Sequence, residues 1–133
     1  VAFAGAIGQP CPRSGELPCA YVELVAGAMV NGDQLTAYCQ EHVTERAAQP
    51  KYIEVIETLP KTAVGKVFKP DLRKMAIRRV YNAAFEASAS SAQVERVIED
   101  KARGLVALVG RGADEAEVQS VLGSYERPWD WAE

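Results

Sequence analysis

The first half of the chain contains three stretches whose hydrophobic pattern is typical of β-strands. Small and apolar residues fill positions 1–8, which predicts a short buried strand. Positions 9–15 are dense in Pro and Gly and predict a loop. Positions 19–25 and 52–57 alternate between apolar and polar residues, so each predicts a further strand.

Two other stretches repeat apolar residues at the spacing of an α-helix. Asn31 can cap the first helix while Gln34 bonds back to it, as in a capping box, and we expect Pro50 to end this helix. Pro70 suits the first position of the second helix, where no backbone N–H is needed. The predicted apolar face of this second helix consists of Leu72, Met75, Ala76, Val80 and Ala83.

The last third of the chain predicts a linker followed by a β-β-α pattern. Small and polar residues at 87–92 are typical of a linker. Residues 94–99 and 105–109 predict two strands joined by a tight turn, and residues 113–125 predict a helix. We therefore predict an α+β fold, with helices packed on a small sheet and a β-β-α extension.

Composition places the chain among ordinary globular domains. It has 133 residues, of which 48% are hydrophobic and 25% are charged, and this size corresponds to about one domain. No apolar run approaches the roughly 18 residues that a membrane span needs. The three cysteines form no C-x-x-C pair, which argues against a disulfide framework or a zinc site and favours a reducing cytoplasm.

Positive charge is concentrated in the middle of the chain. Residues 51–79 carry eight Lys or Arg against three Asp or Glu, although the whole chain has a net charge of −3. Such a segment suits an anionic small molecule or a phosphate, and a solvated helix face is the alternative for residues 73–79. Nucleic acid is not an expected partner, because base-stacking sheets need several exposed aromatic residues and the central strand offers only Tyr52.

The loop that precedes the second helix carries the strongest chemical signal. Pro60 stiffens its entrance, and Gly65 permits a backbone conformation that other residues resist. Lys66 then projects from a short loop, where its ammonium group could meet a phosphate or carboxylate oxygen. An ordinary hairpin with an exposed lysine would have the same composition.

This loop resembles the last conserved motif of the adenylate-forming superfamily, which includes the acyl-CoA synthetases. The motif, Pro-Lys-Thr followed by two residues and Gly-Lys, is matched by residues 60–66. Residues 6–8 and 15–22 are similar to the family's "AVVG…GE.P.AFV" stretch, and residues 69–73 resemble its helix start. The resemblance covers about residues 1–85. Val64, which replaces the Asn typical of peptide synthetases, favours the acyl-CoA branch.

The resemblance implies a ligase that works in two steps. A carboxylic acid first reacts with ATP to form an acyl-adenylate, and coenzyme A then converts the adenylate to a thioester. Lys66 would enter the active site in the first step and bridge the carboxylate and the α-phosphate. The residues implied to lie beside the substrates are Lys61, Thr62 and Gly65.

The resemblance assigns the second step to another part of the chain. Gly15 and Glu16 would help to shape the thiol tunnel, and a plain turn is the alternative for Glu16. Mg²⁺ is expected in the parent enzyme, whereas no metal site is expected within this chain.

The resemblance also predicts how the chain is organised. Residues 1–86 would form the carboxyl-terminal cap domain without its start, and residues 87–133 a linker and extension packed on the same domain. The family's hinge and ATP-binding loops are missing, so we expect the fragment alone to be inactive and its main partner to be an N-terminal adenylation domain. The alternative is a stand-alone small α+β binding or regulatory module without catalysis.

Overall fold

The computed structural model describes residues 1–133, which form two compact units. The first unit comprises residues 1–9 and 17–73, and the second comprises residues 10–16 and 74–133. The strands are β1 Phe3–Cys11, β2 Gly15–Glu23, β3 Ile53–Val55, β4 Val94–Asp100, β5 Gly104–Val109 and β6 Trp129–Trp131. The helices are α1 Gly32–His42, α2 Lys69–Ala87 and α3 Glu115–Leu122, with a short 3-10 helix at Arg46–Ala48.

The first sheet has the strand order β1-β2-β3. Strands β2 and β3 are parallel, with Ala20 opposite Ile53 and Val22 opposite Val55. A parallel pair needs a crossover connection, and α1 lies within it. The apolar cluster of this unit contains Ala20, Val22 and Ile53, against which Leu35 and Cys39 of α1 pack.

Helix α1 begins as predicted and ends earlier. The Asn31 side chain accepts a hydrogen bond from Gln34 N (2.8 Å), and the Gln34 side chain accepts one from Asn31 N (2.9 Å), so the capping box is confirmed. The predicted end at Pro50 is wrong, because the helix stops at His42 and Val43 is its extended C-cap. The β-branched pair Val43-Thr44 has low helix propensity, which favours this early end.

The first hairpin extends further than its sequence suggests. The predicted loop at residues 9–15 is wrong in extent, since β1 continues through Cys11 and β2 already begins at Gly15. Strand β1 lies at the edge of the sheet, where Pro10 is tolerated because an edge residue need not donate to a neighbour.

The second sheet has the strand order β4-β5-β6. Strands β4 and β5 are antiparallel, and β6 pairs in parallel with β5, placing Trp129 opposite Ala107. Strand β6 was not predicted, because Trp129–Trp131 lies in no longer alternating stretch, whereas β3 lies within the alternating residues 52–57. The α+β class is confirmed, with two three-stranded sheets in place of one small sheet.

The buried face of helix α2 matches the predicted face only in part. Leu72 and Ala76 are buried as expected, but Ala83 is exposed. From Lys74 onward α2 belongs to the second unit, where its side chains join β4, β5 and α3 in one core. The buried members of this core are Ile77, Tyr81, Phe85, Ala92, Val94, Val97, Leu105, Ala107, Val109, Val118 and Leu122.

Candidate site on the turn between β3 and α2

Lys66 lies in a tight turn that is closed by its own backbone. Thr62 N donates to Lys66 O (2.7 Å), Gly65 N donates to Thr62 O (2.9 Å), and Phe68 N donates to Pro60 O (2.8 Å). The Thr62 hydroxyl also accepts a hydrogen bond from Lys66 N (3.2 Å). These bonds join the two sides of the turn to each other.

Gly65 and Lys66 give the turn its chemical character. Gly65 has a φ of +85°, a backbone conformation that glycine adopts without strain. Lys66 follows it and is exposed, and no hydrogen bond or ion pair of its ammonium group is found. The turn therefore presents an unpaired cation to solvent, which suits an anionic oxygen.

The base of the turn is fixed by an ion pair to the end of β2. Lys61 Nζ lies 2.7 Å from Glu23 Oε1, and Leu59 N donates to the same oxygen (2.9 Å). Lys61 Nζ also lies 4.4 Å from the centroid of the Phe3 ring, a cation–π distance. The hydrogen bond from Lys61 and then that from Leu59 hold the pKa of Glu23 below its usual range.

Gly15 and Glu16 are the first two residues of β2, directly after the hairpin turn, and belong to the second unit. Gly15 has a φ of +79°, and a Cβ atom there would lie 2.8 Å from Glu126 Oε1. The Glu16 carboxylate lies 3.7 Å from Arg127 Nη2, and its side chain is half exposed. The Arg127 carbonyl accepts a hydrogen bond from the buried Tyr81 hydroxyl (2.8 Å), which fixes the backbone on this side.

The structure thus divides the predicted site residues into two groups. Lys61, Thr62, Gly65 and Lys66 share one turn of the first unit, whereas Gly15 and Glu16 belong to the second unit. Glu23 is a residue that sequence reasoning missed. It precedes Lys61 by 38 residues, and no local pattern connects the two.

Other features of the chain supply no further site of this kind. A shallow cavity of about 320 Å³ in the second unit is lined by Ser91, Gln93, Glu95 and Arg111 among others, and contains none of the predicted residues. No group of three or more His, Cys, Asp or Glu side chains is placed to hold a metal ion. None of the helices is both long and apolar enough to cross a membrane.

The part of the chain that matches a known protein family contains the first sheet and most of the Lys66 turn. Residues 1–66 match the AMP-binding enzyme C-terminal domain, and the match ends on Lys66. Residues 1–66, about half of the chain, therefore belong to this family of C-terminal domains of AMP-binding enzymes.

The relatives that the chain matches are longer proteins, named as ligases or as a synthetase. The chain is 31% identical over 131 residues to the marinolic acid–CoA ligase of Pseudoalteromonas sp., covering 98% of this chain and 20% of that protein. It is 36% identical over 73 residues to the peroxisomal trans-cinnamate:CoA ligase of Petunia hybrida, covering 55% and 13%. The solved amide bond synthetase McbA of Marinactinospora thermotolerans shares 33% identity over 55% of this chain and 15% of its own, with a TM-score of 0.48. The chain thus spans a fifth or less of the length of these proteins.

Proposed function

We propose that this chain acts as the C-terminal domain of an ATP-dependent acyl-CoA ligase and supplies Lys66 to the adenylation step. The observation that carries the proposal is the unpaired, exposed ammonium group of Lys66 on a turn whose own backbone holds it in place. Membership of the ligase family favours this function over a stand-alone binding or regulatory module.

In the adenylation step, Lys66 stabilises charge as it moves. A carboxylate oxygen of the acid attacks the α-phosphorus of ATP, the bond to the β-phosphate breaks, and pyrophosphate leaves. The ammonium group lies between the carboxylate and the α-phosphate oxygens, so it draws the two anions together and stabilises the negative charge of the transition state. Thr62 and Gly65, at the same exposed turn, border the substrates.

The second step uses the other group of residues. The thiol of coenzyme A attacks the acyl carbon, AMP leaves, and the thioester forms. Gly15 and Glu16 border the path of the thiol, an assignment supported by their place at the hairpin end of β2, where the Glu16 carboxylate is half exposed. We expect the Mg²⁺ of the parent enzyme to be bound by its other domain.

The proposal rests on a partner that this chain does not contain. An N-terminal adenylation domain of the same protein would bind ATP and the acid, since the matched ligases are five or more times longer than the matched region. The acids to test first are those in the names of the relatives, such as trans-cinnamate, together with fatty acids of graded length.

The proposal predicts a split between the two half-reactions of the full-length ligase. Lys66→Ala should lower the rate of pyrophosphate release by about 100- to 1,000-fold, the effect of losing one such charged contact. Thioester formation from a supplied acyl-adenylate should change by less than about threefold, because this step does not use Lys66 in our scheme. Glu16→Ala should instead lower the rate of thioester formation and leave pyrophosphate release nearly unchanged.

Lys101→Ala is the matched control, since Lys101 is an exposed lysine on the turn between β4 and β5. It should leave both half-reactions unchanged. Equal losses of both half-reactions in Lys66→Ala, or no loss of adenylation, would contradict the assigned role.

A further inference from the structure

One carboxylate ties the base of the Lys66 turn to the first sheet. Glu23 Oε1 accepts hydrogen bonds from Lys61 Nζ (2.7 Å) and from Leu59 N (2.9 Å). The side chains of Glu23 and Lys61 are only 18% and 22% exposed, so solvent screens the pair less than it would a surface pair. Two anchors on either side of Pro60 therefore fix both the position and the direction of the chain as it enters the turn.

The anchored residue is connected to Lys66 through the turn itself. Lys61 faces Val67 in an isolated antiparallel bridge, and its neighbour Thr62 makes two hydrogen bonds with Lys66. Leu59, just before the turn, is almost completely buried. A shift of Lys61 would consequently carry the backbone of Lys66 with it, since the two sides of the turn are bonded to each other.

We propose that Glu23 and Lys61 are positioning residues that aim Lys66 at the reacting groups. This inference rests on the proposed function and deepens it. It also gives Lys61 a role different from direct substrate binding, because its ammonium group is already engaged by Glu23 and faces the Phe3 ring. Within this motif, Lys66 is then the cation that meets the substrates and Lys61 is the cation that orients the turn.

The first test is Glu23→Gln in the full-length ligase. The amide keeps the size of the side chain and can still accept the bond from Leu59 N, but it loses the charge that holds Lys61. We expect kcat for adenylation to fall about 10- to 100-fold, since a displacement near 1 Å can cost about 100-fold. The KM for ATP and the thioester half-reaction should change by less than about threefold.

Glu57→Gln is the matched control, because Glu57 is exposed in the same unit and forms no ion pair. It should leave adenylation unchanged. A loss in Glu23→Gln that affects both half-reactions equally would indicate general disruption of the domain and would overturn the inference.

Variants of Lys61 separate positioning from substrate binding. Lys61→Arg keeps the pair and should retain most of the adenylation rate, whereas Lys61→Met should resemble Glu23→Gln. The double variant should be no worse than either single one, because both remove the same interaction. If Lys61→Met raises the KM for ATP strongly while Glu23→Gln leaves adenylation intact, Lys61 binds substrate directly and the inference is wrong.

The outcome also distinguishes this inference from the function on which it rests. An enzyme that needs Lys66 for adenylation but tolerates Glu23→Gln would refute the positioning role alone. An enzyme whose adenylation is unaffected by Lys66→Ala would refute the proposed function, whatever the result for Glu23.

Discussion

Gly65 shows how strongly a single backbone angle can decide how the neighbouring Lys66 side chain is presented to solvent. Its φ of +85° closes the turn, and no atom lies within 4 Å of the place that a Cβ would occupy. The requirement for glycine is therefore conformational and does not arise from crowding. A side chain at this position would be accommodated in space but would resist the backbone angle.

Substitution of Gly65 should follow the preference of each residue for positive φ. Gly65→Ala should lower the free energy of unfolding by about 1 kcal/mol, whereas Gly65→Asn should cost less because Asn tolerates this region. Urea denaturation of the two variants and the natural chain measures the difference. Equal costs for Ala and Asn would show that φ is not the governing factor.

At the same scale, the sequence predicted the exposed Lys66 but not the contact between Lys61 and Glu23 that anchors its turn. The Gly65-Lys66 pair with its preceding Pro-Lys-Thr is a local motif, so its geometry could be predicted from neighbouring residues. The contact between Lys61 and Glu23 joins residues far apart in the chain. Such a contact depends on the register of β2 and on the path of the loop, which no hydrophobic pattern specifies.

At the scale of elements, strands and helix ends with a clear local pattern were predicted better than elements without one. The capping box of α1 and the strands β4 and β5 follow local rules, and the structure has them close to the predicted places. Strand β6 was missed because its three residues lie in no longer alternating stretch of the kind that surrounds β3. The prediction of the buried face of α2 was only partly right, because the helix belongs to the first unit up to Arg73 and to the second unit from Lys74 onward.

The buried face of α2 makes a direct test possible. Phe85 is 1% exposed within the core of the second unit, whereas Ala83 is exposed on the same helix. Phe85→Ala should lower the free energy of unfolding by about 3–5 kcal/mol, and Ala83→Gln should change it by about 0.5 kcal/mol or less. Urea denaturation checks both values. A substantial cost at Ala83 would support the face predicted from the sequence instead.

At the scale of the whole molecule, the division into units does not follow the order of the chain. The turn at residues 10–16 belongs to the second unit although its strands begin and end in the first. The sequence predicted a boundary between residues 86 and 87, from the small polar residues that follow α2. Small polar residues indicate only that the chain is locally flexible. The two units are defined by contacts between distant residues, which the composition of a linker does not indicate.

Cutting the chain at this predicted boundary tests whether residues 1–86 fold alone. The fragment would lose β4, β5, α3 and β6, and would expose Ile77, Tyr81 and Phe85 of α2. We expect it to lose helical circular dichroism beyond the deleted α3 and to associate, because the exposed face is apolar. Replacement of these three residues by Gln should restore solubility. A monomeric fragment with α2 fully helical would support the boundary.

The ion pair between Glu16 and Arg127 joins a residue that is synthesised early to one that is synthesised much later. The two residues are separated by about 110 positions, and at about 5–20 residues per second the ribosome needs roughly 6–20 s to travel between them. During this time Glu16 has no Arg127 to pair with, although β1, β2, β3 and α1 have already been synthesised. The contact between Glu16 and Arg127 can form only after Arg127 has been synthesised, later than every strand of the first sheet.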